Sequence, residues 1–183
     1  MSRIYDITRP LASGAWVWSG DTPFDCSLAW KMSAGNSVNV GRVTMSLHCG
    51  THMDAPFHFA EGGPAADQID LDHCIGACDV LPLDRLAEAT ARRVLVKADG
   101  RAPTVAQLEH LGPLKLFGTD FHSVDPLDSK TLDVHHHLWQ RGAVILEELD
   151  LSAVPDGRYA LIALPLRLVG MDAAPVRAVL VEA

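Results

Sequence analysis

A chain of 183 residues that is 48% apolar is long enough for one globular domain with a single sizeable core, so residues 1–183 are expected to form one domain. Its formal net charge of -8, with acidic residues scattered along the chain, leaves no basic patch for a polyanion and argues against nucleic acid or an anionic membrane surface as partner. A small-molecule substrate fits better.

The N-terminal stretch Met1 to Asp6 lacks the apolar core of a signal peptide, and Arg9 and Pro10 follow before one can form. No apolar run is long enough to span a bilayer. Cys26, Cys49, Cys74 and Cys78 show no secreted-domain framework, so a cytoplasmic protein with reduced thiols is expected. Cys74 and Cys78 are either metal ligands or buried thiols. Their CxxxC spacing is not the CxxC of zinc ribbons, which favours the thiols.

Residues 5–20 hold a short strand pattern and then a loop with Gly14, Trp16, Trp18 and Gly20, ending in the turn residues Asp21, Thr22 and Pro23. Two tryptophans there either cap the core or wall a flat substrate; Trp18 is the better candidate for the wall. From Val40 to His48, apolar Val43, Met45 and Leu47 alternate with Arg42, Thr44, Ser46 and His48, which reads as a half-buried strand whose polar face ends in His48. Further strands are expected over 93–96, 114–117, 143–146 and 159–165, the last composed as if buried on both sides. Helices are expected over 83–91 and 104–111, with Thr104 as N-cap, and a short one over 172–178 opened by Pro175. Strands alternating with short helices predict an α/β fold with a mixed sheet.

Chemistry concentrates between residues 48 and 58. His48, His52, Asp54 and His58 share one parity, and the spacings 48 to 52 and 54 to 58 are each i,i+4, so an extended or a helical chain would gather them on one face. Two imidazoles and a carboxylate are the donor set of a zinc or manganese site that keeps a position open for water. Gly50 permits a tight bend between the histidines. Later, His135, His136 and His137 are either a solvated helix face or a source of further donors, and Glu147 is either a solvated strand end or a ligand delivered from the sheet. The segment from Met171 to Pro175 reads as a loop closure without chemistry.

The pattern HxGTHxDxPxH, met in full by His48, Gly50, Thr51, His52, Asp54, Pro56 and His58, resembles the signature of the cyclase family of metal hydrolases. Within it the chain is similar to bacterial kynurenine formamidases, through residues 71–76, 123–130, 144–147 and 161–166. That resemblance implies a swivelling β/β/α fold, a homodimer or larger assembly, and two divalent ions, zinc or alternatively manganese. It implies His48, His52 and Asp54 as ligands of the first metal, Asp54 as a shared ligand, and His135 and Glu147 as ligands of the second. His136 and His137 leave the register of that histidine open. It also implies His58 as the catalytic acid/base, Trp18 as the aromatic substrate contact, and hydrolysis of a small aromatic formamide, N-formyl-L-kynurenine, to L-kynurenine and formate. The alternatives are a sister hydrolase acting on isatin or another cyclic amide or lactone, and a non-catalytic metal-binding protein. The chain departs from its relatives in a short segment over 97–117, and in His122, which stands where a small residue or proline is expected before Ser123.

Overall fold

Period-two alternation of apolar residues builds most of the framework, and the resulting strands close on themselves. In the computed structural model, which describes residues 2–182, eight strands form one sheet: β1 (Ile4–Asp6), β4 (His52–Asp54), β5 (Ile75–Pro82), β6 (Arg93–Lys97), β7 (Leu116–Thr119), β8 (Val144–Glu147), β9 (Gly157–Pro165) and β10 (Ala173–Glu182). Two more, β2 (Asp25–Trp30) and β3 (Val40–Thr44), pair only with each other. The sheet order is β1-β10-β4-β8-β7-β6-β5-β9, and β9 also pairs with β10, which closes a barrel. β5 to β8 run parallel, while β4, β9 and β10 pair antiparallel with their neighbours, so the sheet is mixed as expected.

Alternate residues divide between two cores. Met53, Val80, Leu95, Leu116, Leu146 and Leu161 fill the barrel, whereas Leu81, Val94, Val96, Phe117 and Ile145 face outward beneath the connections. Those connections include the 3-10 helix Leu83–Glu88, α2 (Val105–Leu108) and α3 (Asp133–Gln140), and they cover the parallel strands with Leu86, Leu108 and Leu138. A short α1 (Leu71–Cys74) leads into β5. Each fully buried large aliphatic side chain contributes about 1.5–3 kcal/mol, so the barrel rests on apolar packing and not on the polar cluster at its edge.

Several expectations are corrected. Residues 172–178 are not a helix: Pro175 sits opposite His52 near the start of β10, and the following Val-Arg-Ala-Val-Leu-Val alternation completes a strand. β9 is buried on one face only, its alternate residues Ala160, Ile162 and Leu164 being exposed. β3 ends at Thr44 and is exposed throughout, so His48 lies in a turn beyond it and not at a half-buried strand end. The helix expected over 83–91 is a 3-10 segment ending at Glu88. Thr104 does cap α2, its hydroxyl accepting from Gln107 N–H while the Gln107 side chain accepts from Thr104 N–H. Cys74 and Cys78 are fully buried free thiols in the barrel core, burial pushes the Cys74 thiol up to about 11, and among the described residues neither joins a group of donors close enough to share a metal. Among the described residues no helix is long and apolar enough to cross a membrane.

Candidate metal centre

β4 and β8 are the platform. In their antiparallel register His52 lies opposite Glu147, and His52 and Asp54 project from the face opposite to Met53, which enters the barrel core. His48 comes from the turn before β4, where Gly50 holds φ 70°, a left-handed conformation; a Cβ there would meet Leu11 Cδ2 at 2.6 Å. After β4 the chain turns into the 3-10 helix Pro56–His58, with Pro56 at its first position, and this returns His58 to within 4.1 Å of the His48 ring, centroid to centroid. The four residues therefore converge through a turn, a strand and a 3-10 helix in succession, neither wholly extended nor helical as their spacing allowed.

His135 arrives from the first turn of α3, is the buried member of the histidine triplet, and lies with Asp54 and Glu147. His136 instead packs edge-on to Phe59, and His137 lies off the cluster. The carboxylate of Asp125 fixes His135: it accepts the backbone N–H of Val134 and of His135 at 3.0 Å each and the imidazole Nδ1–H at 2.6 Å. The other ring nitrogen, Nε2, is thereby directed at Asp54 Oδ2, 3.3 Å away, and Glu147 Oε1, 3.6 Å away. His52 is oriented likewise, Nδ1–H donating to Gly50 O at 2.8 Å, so that the lone pair of Nε2 faces Asp54 Oδ1 at 3.3 Å and Glu147 Oε2 at 3.6 Å. His48 Nδ1 is 3.2 Å from the same Asp54 oxygen.

Asp54, Glu147, His52 and His135 are all buried, yet Asp54 Oδ1 has no hydrogen-bond donor. An orphaned carboxylate oxygen facing imidazole lone pairs is costly unless positive charge lies between them. The donor atoms fall into three overlapping groups, with the atoms of each within 4.8 Å of one another: His48/His58/Asp172 at the cavity edge, and the two deeper groups His48/His52/Asp54 and Asp54/His135/Glu147. In the deeper groups, two carboxylates and three imidazoles so placed fit divalent cations, with Asp54 common to both.

The electrostatics carry the same demand for positive charge. Burial disfavours a charged His48, but the carboxylates of Asp172 and Asp54 outweigh it and push its pKa to about 10. Burial acts the same way on His135 and is outweighed by Asp125, Asp54 and Glu147, again giving about 10. Burial and the neighbouring Asp54 charge raise Glu147 to about 7. His58 differs: burial lowers its pKa from the ordinary histidine value despite the pull of Asp54 and Asp172, which favours the neutral ring.

Asp172, assigned no chemistry from the sequence, stands beside this cluster. Its Oδ2 is 3.0 Å from His48 Nε2 and 3.5 Å from His58 Nδ1, and the His48 hydrogen bond holds its pKa at about 2. Asp125, too, had no role from periodicity; its only sequence signal was its place in the 123–130 segment. Over the cluster opens a cavity of about 380 Å³ whose lining includes His48, His58, His135, Glu147 and Trp18, with Asp21 and Lys130 among its polar residues.

Such a site on such a barrel defines a class of metal-binding α/β proteins, and comparison with known proteins makes it specific. Residues 5–112 match the family model described as putative cyclase, and the chain belongs to the cyclase family. A solved protein described as a potential metal-dependent hydrolase with cyclase activity superposes with TM-score 0.80 at 26% identity, covering 100% of this chain and 99% of that one. A predicted metal-dependent hydrolase from Bacillus stearothermophilus gives TM-score 0.79 at 26% identity, with 100% of both chains covered. Isatin hydrolase A from Labrenzia aggregata shares the fold at TM-score 0.77 and 20% identity, over 99% of this chain and 94% of that one.

Proposed function

We propose that this protein is a metal-dependent amide hydrolase that converts N-formyl-L-kynurenine to L-kynurenine and formate, with two divalent ions, zinc by preference, held by His48, His52, Asp54, His135 and Glu147. The observation that carries the hydrolase reading is the buried, donorless Asp54 Oδ1 at the centre of a five-residue donor set beneath an open cavity. Bound there, the ions supply positive charge that polarises a carbonyl and makes water easier to ionise.

The chain's own residues supply the rest. Neutral His58, its side chain 32% exposed at the cavity, is free to take a proton from the attacking water. Water adds its oxygen to the formyl carbon, the carbon–nitrogen bond breaks, and His58 returns the proton to the departing aryl amine. Trp18 offers an aromatic surface for the ring. Asp21 and Lys130 place opposite charges in the same lining, which suits the ammonium and carboxylate of an amino-acid side group and has no counterpart in neutral isatin. Formate release from N-formylkynurenine, measured beside isatin hydrolysis on protein of known metal content, tests the assignment. Turnover of isatin alone moves the substrate to the cyclic amides, and zinc binding without turnover of either leaves a non-catalytic metal-binding protein.

The same reading extends to assembly as a homodimer. β2 and β3 form a ribbon in which every residue is exposed, and an isolated two-stranded ribbon is marginal in water. Cys26 pairs with Val43 and Trp30 with Val40, and with Leu28, Met32 and Val38 they expose apolar surface on the order of 600 Å², at the top of the range for a monomer's largest patch and approaching one side of a standard interface. A second copy of this chain is the partner these observations favour. Light scattering of wild type and of the Leu28→Glu/Val43→Glu double variant should show a dimer and a monomer respectively; a wild-type monomer at micromolar concentration overturns the assignment.

A further inference from the structure

We propose that His122 is a positioning residue that fastens the tryptophan wall of the cavity to the barrel, by stacking on Trp16 and bonding to the buried carboxylate of Glu148. The inference rests on the reading of Trp18 as the face presented to an aromatic substrate.

The two glutamates that end β8 are sent in opposite directions. Glu147 enters the metal cluster, whereas Glu148 takes φ 58°, a left-handed conformation that costs a non-glycine residue energy and persists only where its surroundings hold it. They do so from both ends: Glu148 N–H donates to Phe121 O at 3.1 Å, and its carbonyl accepts from the Thr51 hydroxyl at 2.6 Å. The side chain that this backbone aims away from the metals is buried, and its two oxygens meet Arg9 Nε at 3.2 Å and His122 Nδ1. Arg9 is tied in turn to Asp120 O at 2.6 Å, and its own N–H donates to the Thr51 hydroxyl at 2.9 Å.

The free face of the His122 ring carries Trp16, stacked with centroids 4.0 Å apart and planes 16° from parallel. Trp16 meets Trp18 edge to face at 5.0 Å, and Trp18 lines the cavity. The segment bearing both tryptophans belongs to no helix or strand, and its internal backbone bonds are few, Ala15 N–H to Ala12 O and Asp21 N–H to Trp18 O among them. Without an outside anchor its side chains would sample many orientations. The chain Glu148–His122–Trp16–Trp18 is that anchor. It also gives a reason for a histidine at position 122, where the family resemblance implied a small residue or proline: a planar ring is needed that stacks on one face and donates from its edge.

The test uses the metal-loaded full-length protein and the variants His122→Ala and His122→Phe. Loss of an aromatic pair of this kind should raise KM for N-formylkynurenine about 2- to 10-fold, with kcat within about two-fold and metal content unchanged. The circular-dichroism couplet of the Trp16–Trp18 pair should weaken in His122→Ala and return only in part in His122→Phe, which keeps the stacking ring but cannot donate to Glu148, and the KM of His122→Phe should fall between those of wild type and His122→Ala. Trp16→Leu should reproduce the KM rise, and it carries the test if His122→Ala fails to fold. A fall in kcat at unchanged KM, or an unaltered couplet in a folded His122→Ala, overturns the proposal. If wild type turns over no N-formylkynurenine, the formamidase assignment fails by itself, and the couplet still decides the role of His122.

Discussion

Among the histidines of the site, His58 alone is set apart by its electrostatics: burial lowers its pKa, while the carboxylates around His48 and His135 raise theirs, a demand for positive charge that bound cations would meet in place of protons. A residue that lines the cavity and lies outside the two central donor groups can be removed without dismantling them. His58→Ala should therefore keep its metal in elemental analysis while kcat falls about 10²- to 10⁴-fold. Asp54→Ala should lose metal and activity together, because both of the deeper donor groups contain it. A metal-free His58→Ala would make His58 a ligand. Asp125 is a subtler case, since it touches no substrate but aims the His135 lone pair and accepts two backbone N–H groups besides. Asn there keeps the shape and only one acceptor oxygen, so Asp125→Asn should weaken metal binding about 10- to 100-fold, measured by competition with a chromophoric chelator.

At the scale of elements, Asp79 of β5 is the clearest single clasp. It accepts from Arg158 of β9 at 2.8 and 3.1 Å and from the backbone N–H groups of Thr90 and Ala91 at 2.7 Å each, joining two strands to the connection before β6. Burial alone would raise its pKa, but Arg158 and the two N–H groups outweigh it and hold the carboxyl below its ordinary value. A depressed folded pKa means that the stabilisation is complete above the unfolded value of about 3.9 and is lost as pH falls through the lower folded value. Asp79→Asn should cost about 1–3 kcal/mol at neutral pH, lowering Tm by several degrees, and the gap to wild type should narrow below pH 4 in thermal melts.

Elements were legible in the sequence where one physical signal dominated. β6, β8 and β9 follow from apolar composition, and α2 from Thr104 and Gln107. The failures came where tertiary context overruled a local cue. Pro175 suggested a helix start, yet the strand pairing of β10 with β4 and β9 decides that segment. The alternation of β3 suggested burial in its own core, whereas the ribbon stands clear of the barrel and Val43 is 57% exposed. The convergence of His48 to His58 was legible because these residues are close in sequence, while Asp172 lies 124 residues from its His48 partner and no spacing rule could join them.

For the whole molecule, the separation of the metal cluster from the two apolar cores sets how the protein should respond to metal removal. Met53 and Leu146 face one core and Ile145 the other, whereas His52, Asp54 and Glu147 gather at the edge of the barrel, so the framework does not need an ion to pack. The chelated protein should retain its far-ultraviolet circular dichroism and a cooperative melt. It should nonetheless be less stable, since buried carboxylates and imidazoles lose the charge that binds them, and an ion at a thousand times its Kd contributes about 4 kcal/mol. At roughly 2–4 °C per kcal/mol for a chain of this size, Tm should fall by about 8–16 °C on chelation and recover with stoichiometric zinc. Asp54→Ala should abolish that zinc response in calorimetry while the melt stays cooperative. Complete unfolding on chelation would instead mean that the cluster, and not the barrel core, holds the fold together.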